Sequence, residues 1–373
     1  MKKILFLTGT RADFGKLKSL IHSVDNHPDY KIYIFVTGMH LLKKYGFTAS
    51  EVEKEGFNNL YFYINQNNAD TMDVILAKTI IGLSDYTKQV DPDMIVVHGD
   101  RVEAMAGAIV GSLNNILVSH IEGGEVSGTI DELIRHSVSK LAHLHFVANK
   151  EAENRLLQLG EDKSCIRIIG SPDLDIMSSD SLPSIELAKE RYNIEFETFS
   201  IFIYHPVTTE TDQLEERINQ VVSALEESGD NFIIVYPNND HGSDVIISAI
   251  QGTSENKNFK IFPSIRFEYF LTLLKNASYI IGNSSAGIRE APYYGLPTIN
   301  IGSRQNNRSD AASIINVNET TTDILSAILQ IRGMKTQVTK DFGSGQSATQ
   351  FLNVLNTSQT WETAKQKVFI DKK

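Results

Sequence analysis

Short apolar runs recur along the chain and alternate with longer amphipathic stretches. Ile4–Leu7, Ile32–Val36, Met94–Val97, Ile116–Ser119 and Leu144–Ala148 are each four or five residues long and read as strands buried on both faces. Between them, Lys16–Val24, Thr71–Val90 and Glu103–Leu113 carry apolar positions at helical spacing. Strand and helix in alternation is the pattern of a parallel sheet with helices on both faces, so the first 170 residues are predicted to form a doubly wound domain. The second half repeats the theme, with strands over Phe199–Tyr204, Asn231–Tyr236, Lys260–Phe262, Tyr279–Ile281 and Thr298–Ile301. Its predicted helices cover Thr211–Glu227, Arg266–Lys275 and Gly287–Tyr294. The expected fold class is therefore α/β, with two Rossmann-like domains at 1–170 and 171–356. Gly170-Ser171-Pro172-Asp173 and the polar stretch Ser178–Ser184 have turn chemistry and place a linker near 170–185. The tail from about 357 to 373 holds enough helix formers to predict a terminal helix that packs back on the first domain.

Composition narrows the function. The 373 residues suffice for two separate cores. A formal charge of −11, from 46 acidic and 35 basic residues, has the wrong sign for gripping a phosphate backbone, so nucleic acid is not an expected partner. A single cysteine, Cys165, forms no internal disulfide, and no Cys/His group has closed-zinc spacing. A reducing compartment, the cytoplasm, and no metal site are expected. Met1–Gly9 has an apolar core of four residues, where a secretory signal needs about 7 to 15. No run approaches the roughly 20 apolar residues of a membrane span, so no membrane association is expected.

Open parallel sheets carry their functional loops at the carboxyl ends of strands. After the first strand comes Thr8-Gly9-Thr10-Arg11-Ala12-Asp13, a glycine turn, helix N-terminus and arginine suited to an anion. Two further strand ends deliver His98-Gly99-Asp100-Arg101 and His120-Ile121-Glu122-Gly123-Gly124-Glu125. A third carboxylate, Asp131, stands in Gly128-Thr129-Ile130-Asp131-Glu132 at the start of a helix. Carboxylates converging with histidines at strand ends point to a functional site rather than decoration, because buried charges are costly without a partner or a task. In the second half, Tyr204-His205-Pro206 ends one strand. Gly282-Asn283-Ser284-Ser285-Ala286-Gly287-Ile288-Arg289-Glu290 ends another and reads as a phosphate cradle, with Ser284 and Ser285 as hydroxyl donors and Glu290 facing a ribose. Gly302–Arg308 then brings Arg304 toward the same anion. Asp341-Phe342-Gly343 lacks the companion motifs of a kinase, and His136, His143 and His145 lack ligand spacing, so neither is taken as a site.

As a set these motifs resemble those of the hydrolysing UDP-N-acetylglucosamine 2-epimerases of bacterial sialic acid biosynthesis, over essentially the whole chain. The resemblance implies a glycosyltransferase-B arrangement with the active site in the interdomain cleft. It implies UDP on the second domain, the sugar facing the first-domain carboxylates, no cofactor, and a homodimer or homotetramer. Helices Thr71–Val90 and Glu103–Leu113 are the candidate contact surfaces. Carried over by motif, Asp100, Glu122 and Asp131 share proton transfer and cation stabilisation, while Arg11, His205, Ser284 and Ser285 stabilise the departing diphosphate. Glu290 and Arg304 hold the nucleotide, with Asn238 and Phe267 on the uridine side.

The non-hydrolysing relatives carry a threonine after the strand-end aspartate, an EAG sequence at Glu122-Gly123-Gly124 and a glutamate at position 131. This chain departs from them at all three, which implies release of free sugar. The implied chemistry starts from a C2 proton that is not next to a carbonyl, so UDP must leave before or with it; 2-acetamidoglucal forms, and water then adds at C1. The same motifs serve UDP-N,N'-diacetylbacillosamine equally. A retaining glycosyltransferase or a non-catalytic nucleotide-sugar sensor shares the phosphate cradle but has no use for the three carboxylates.

Overall fold

The computed structural model describes residues 1–67, 70–127, 129–179, 182–305, 308, 311–334 and 336–371. Gly128, Asn306 and Asn307 of the sequence motifs lie outside them. The chain forms two compact units: Met1–Glu125, Asp131–Asp180 and Asp341–Lys373 make the first, and Val126–Ile130 with Ser181–Lys340 the second.

In the first unit the order is β1 (Lys2–Thr8), α1 (Arg11–Asp25), β2 (Tyr30–Val36), α2 (Ala49–Glu53), β3 (Leu60–Phe62), α3 (Met72–Val90) and β4 (Met94–His98). It continues with α4 (Val102–Leu113), β5 (Leu117–Ile121), α5 (Ile130–Leu141), β6 (Leu144–Val147), α6 (Lys150–Gln158), β7 (Ile166–Ile168) and α7 (Asp173–Met177). The strands pair in parallel in the order β3-β2-β1-β4-β5-β6-β7. Ile4, Phe6, Ile32, Ile34, Met94 and Val96 are at most 1% exposed and share one core cluster. Their alternate spacing is the period of two that puts them on one sheet face. On the other face α4 lies close, because a Cβ at Gly107 would stand 2.5 Å from Val97 Cγ1.

The second unit comprises α8 (Ile185–Tyr192), β8 (Ser200–Ile203), α9 (Leu214–Ser228), β9 (Phe232–Val235), α10 (Ser243–Gln251), β10 (Phe259–Phe262) and α11 (Phe267–Lys275). It ends with β11 (Ile280–Gly282), α12 (Glu290–Tyr293), β12 (Thr298–Ile301), β13 (Ile314–Val317) and α13 (Thr321–Ile331). Its parallel sheet runs β10-β9-β8-β11-β12-β13.

Several elements differ from the sequence reading for identifiable reasons. The edge strands β3, β7 and β13 have no long apolar run; β7 is Ile-Arg-Ile, and Tyr61 and Phe62 of β3 are exposed. Strand β5 runs on through His120 and Ile121, since hydrogen bonds satisfy the buried His120 ring. The helix expected over Gly287–Tyr294 breaks into a 3-10 turn, Ser285–Gly287, followed by the four-residue α12. Thr298 Oγ1 takes the Gly287 carbonyl at 2.8 Å, and Pro292 has no N–H to continue a helix. The tail is helical only at α14 (Ser347–Leu355) and α15 (Ser358–Trp361) and is not helical from Thr363 to Asp371, which corrects the expected terminal helix.

The chain re-enters the first unit at Asp341, before the position expected from sequence. Asp341-Phe342-Gly343 is part of that re-entry, with Ser171 donating its N–H to the Phe342 carbonyl at 2.7 Å. Phe351 of α14 meets Phe146 of β6 edge to face at 4.7 Å, and both are at most 1% exposed. Truncating Phe351→Ala is expected to cost the first unit about 3–5 kcal/mol. Urea unfolding followed through that unit's transition measures it; a loss below about 1 kcal/mol would show that the returning segment lies outside the core.

Candidate active site

In each sheet the strand order reverses at one point, where the loops diverge and leave a crevice. In the first unit that point lies between β1 and β4, with β5 next in order. After β1 the chain turns into α1 through a capping box in which Thr10 Oγ1 accepts the Asp13 N–H at 3.2 Å. The Asp13 carboxylate in return accepts N–H bonds from Gly9 at 3.0 Å and Thr10 at 3.2 Å, and a Thr8 hydroxyl bond. The sequence reading offered this turn to an external anion; the structure fills it with the chain's own carboxylate. Burial raises the Asp13 pKa against these bonds. Arg11 is the first residue of α1, and its charge acts on the buried His40.

After β4, Gly99 turns left-handed at φ 70° and presents Asp100. Asp100 forms an ion pair with Arg135 Nη2, while Arg135 Nη1 reaches Glu125 Oε2 at 3.2 Å. Burial works against the Arg135 charge, but Asp100, Glu125 and Glu122 outweigh it and hold its pKa above the ordinary value. Asp131 lies in the first turn of α5, four residues before Arg135 and so on the same helix face.

Glu122 follows β5 with φ 63°, a left-handed backbone that costs a residue with a Cβ on the order of 1–3 kcal/mol. Its N–H bonds the Phe146 carbonyl at 2.8 Å. Its carboxylate takes His98 Nε2 at 2.9 Å and the Ser171 hydroxyl. Lys16 Nζ stands 3.7 Å from Glu122 Oε2 and 3.3 Å from Asp173 Oδ2, with all three side chains at most 10% exposed. Asp100, whose side chain is 26% exposed, is the more accessible of the two strand-end carboxylates.

Sequence reasoning missed Lys16, Arg135, Ser171 and Asp173 as parts of this constellation. A signal existed for two of them: Lys16 and Arg135 fall on the buried stripes of their helices, beside Leu17 and Leu20 in α1 and Ile134 and Val138 in α5. A charge on an apolar stripe calls for a buried counter-charge.

In the second unit the reversal lies between β8 and β11. Asn283, after β11, accepts the His205 N–H at 2.6 Å and donates to the His205 carbonyl at 2.8 Å, tying the two loops together. The His205 ring accepts the Asn238 N–H at Nδ1, 3.1 Å away. Arg304 Nη1 and Gln305 Nε2 both donate to the Asn283 carbonyl, at 3.2 and 2.8 Å. Asn283 thus joins His205, Asn238 and Arg304. Ser284 and Ser285 follow it directly, with the Ser284 hydroxyl accepting the Ala286 N–H at 3.3 Å. Glu290 is buried as the first residue of α12, and Phe267 is buried as the first residue of α11, on a separate loop. A Cβ at Gly282, φ 129°, would stand 1.9 Å from the Ile203 carbonyl oxygen, so the close approach at this loop requires glycine.

Among the described residues no group of three or more His, Cys, Asp or Glu side chains is arranged to hold a metal ion. Two buried histidines support the first site in neutral form. His120 Nε2 donates to the Gly99 carbonyl at 2.9 Å and Nδ1 accepts from Ser139 Oγ at 3.0 Å, and burial lowers its pKa to about 3. His40 is likewise lowered to about 3 by burial and the nearby Arg11 charge. A histidine depressed on folding leaves the unfolded chain holding more protons between pH 6.5 and 3, so stability falls as pH drops through that window. Melting temperature measured from pH 7 to 4 is expected to decline, and His120→Gln to flatten the decline. An unchanged slope would mean that His120 does not stay neutral in the folded chain.

The sequence profile of the UDP-N-acetylglucosamine 2-epimerase family matches residues 22–356. The UDP-N-acetylglucosamine 2-epimerase of Neisseria meningitidis serogroup B is 49% identical over 375 residues, covering 100% of this chain and 99% of that protein. The UDP-N,N'-diacetylbacillosamine 2-epimerase (hydrolyzing) of Legionella pneumophila is 32% identical over 363 residues, covering 96% of each. The crystal structure of UDP-GlcNAc 2-epimerase from Neisseria meningitidis bound to UDP-GlcNAc matches with a TM-score of 0.80 at 18% identity, over 95% of this chain and 99% of that one. At that identity the likeness concerns the fold, which is the two-domain Rossmann-like α/β class of the glycosyltransferase-B type.

Proposed function

Since this chain belongs to the UDP-N-acetylglucosamine 2-epimerase family, we propose that it is the hydrolysing member that converts UDP-N-acetylglucosamine and water to N-acetylmannosamine and UDP, for sialic acid biosynthesis. The observation that carries this reading is the Asp100–Arg135 ion pair with Glu122 in the same field, on the first domain, and Asp131 one turn before Arg135 on α5. The C2–H bond breaks and its proton passes to a carboxylate. The C1–O bond breaks with its electron pair leaving on UDP, and C1=C2 forms as 2-acetamidoglucal. Water then adds at C1, giving up a proton to a carboxylate, while a second carboxylic acid protonates C2 from the opposite face, which inverts that centre. Arg11, His205, Ser284 and Ser285 are assigned to the diphosphate, Glu290 and Arg304 to the nucleotide, and Asn238 and Phe267 to the uridine. Oriented donors of this kind act on charge as it develops on the leaving group.

Release of free sugar is supported by Arg101, Gly123 and Asp131, where the non-hydrolysing pattern differs. The 49% identity with the Neisseria epimerase favours the N-acetylglucosamine nucleotide. The likeness to the Legionella enzyme favours UDP-N,N'-diacetylbacillosamine as the second reading. A homodimer or homotetramer through α3 and α4 and a cytoplasmic location belong to the same proposal. Among the described residues no helix is long and apolar enough to cross a membrane.

Proton NMR in D₂O with each nucleotide sugar tests the proposal. Release of C2-deuterated N-acetylmannosamine and UDP from UDP-N-acetylglucosamine is expected. Turnover of the bacillosamine nucleotide alone would replace the substrate, return of an epimerised nucleotide sugar would overturn hydrolysis, and consumption of neither would overturn the activity.

A further inference from the structure

Helix α5 carries Asp131 and Arg135, so its position sets the geometry of the first-domain site. Its C-terminal end leaves carbonyls without intrahelical partners, as every helix does. Those carbonyls meet a cation from far along the chain: Lys367 Nζ donates to the carbonyls of Ser139 at 3.3 Å, Lys140 at 2.9 Å and Ala142 at 2.6 Å. The same ammonium lies 2.5 Å from Glu161 Oε2. Glu161, whose side chain is 1% exposed, also takes His145 Nε2 at 2.9 Å and Lys140 Nζ at 2.7 Å. An ammonium at a helix C-terminus complements the helix dipole as well as the orphan carbonyls.

The segment that brings Lys367 there has little other reason to stay. Val368 and Phe369 are 76% and 88% exposed, so apolar burial does not seat it. Its second tie is the Lys365 carbonyl, 3.0 Å from His143 Nε2. His143 Nδ1 accepts the Val118 N–H of β5 at 3.0 Å, so that ring links the segment to the strand leading to Glu122. From the pinned end of α5 the connection to the site is short. Ser139, whose carbonyl Lys367 takes, turns its hydroxyl to His120, and His120 holds the Gly99 carbonyl beside Asp100. Arg135, one turn earlier on α5, grips Asp100 itself.

We propose that Lys367 is a positioning residue for the reaction: its ammonium pins the C-terminal end of α5 and so fixes Arg135 and Asp131 relative to Asp100. The inference rests on the epimerase reading of the site. It makes the segment after Trp361 part of the catalytic apparatus without touching substrate.

The test replaces Lys367 by cysteine in the full chain and restores the charge by alkylation with 2-bromoethylamine, which leaves an ammonium at nearly the original reach. The wild type, whose single cysteine is Cys165, is alkylated in parallel. The readouts are the rate at which C2-deuterated N-acetylmannosamine is released from UDP-N-acetylglucosamine in D₂O, competitive inhibition by UDP, and amide hydrogen exchange over α5. Misplacing catalytic groups by a fraction of an ångström is expected to lower kcat about tenfold to a hundredfold. Inhibition by UDP stays unchanged, α5 amides exchange faster, and alkylation restores the rate. A folded Lys367→Cys protein with wild-type kcat overturns the proposal, as does a rate loss that the restored ammonium fails to repair. If Lys367→Cys does not fold, Lys367→Gln, which keeps N–H donors without the charge, is judged by the same kcat criterion. A wild-type protein that exchanges no C2 hydrogen would instead overturn the epimerase reading, which separates the two failures.

Discussion

A guanidinium does not give up its proton inside a protein, so burying Arg135 commits the first domain to surrounding it with carboxylates. Asp100 and Glu125 meet it directly, and Glu122 contributes to the field that holds its charge. Much of the surrounding structure follows from this requirement. Gly99 must turn left-handed to deliver Asp100, Glu122 accepts an unfavourable backbone conformation, and His98, Lys16 and Ser171 satisfy the Glu122 carboxylate. The charges sit deep enough that removing one partner would leave another exposed to the full cost of burial. That cost keeps the carboxylates proposed as acid and base near one another and in a fixed arrangement, which is what the proposed two-sided proton transfer at one carbon requires.

The two parallel sheets supply the frame in which this is affordable. Each sheet reverses strand order at one point, and each places its polar cluster there. In the first domain the cluster is ionic, a mesh of carboxylates with Arg135 and Lys16. In the second it is built on one neutral residue, Asn283, whose side-chain amide joins the His205 loop and whose backbone carbonyl takes Arg304 and Gln305. The contrast fits the division of labour proposed for them: the first transfers protons, the second holds an anion with donors already oriented.

The sequence made the long buried strands legible because Ile4–Leu7 and Met94–Val97 have no polar interruption. It hid β3 and β7 because edge strands need no such run. It placed Asp100, Glu122 and Asp131 at strand ends and a helix start, since turn glycines mark those points. It did not disclose that Asp13 fills the first turn: Thr10-Arg11-Ala12-Asp13 has the spacing of a capping box, but the glycine and arginine of the same turn suit an external anion equally well. Nor did it distinguish Lys367 from the other charged residues of a polar tail; its partners are Glu161 and three backbone carbonyls, all more than two hundred residues earlier, and backbone carbonyls leave no trace in composition. Long-range polar contacts of this kind are where reading by pattern ends.

The central claim is that Asp100, Glu122 and Asp131 move the C2 proton, and isosteric neutralisation tests it most directly. Turnover of UDP-N-acetylglucosamine is measured for Asp100→Asn, Glu122→Gln and Asp131→Asn, each confirmed folded by circular dichroism. The account predicts a loss of about 10²-fold or more for the residues acting as acid or base. Near wild-type turnover in all three folded proteins would contradict it.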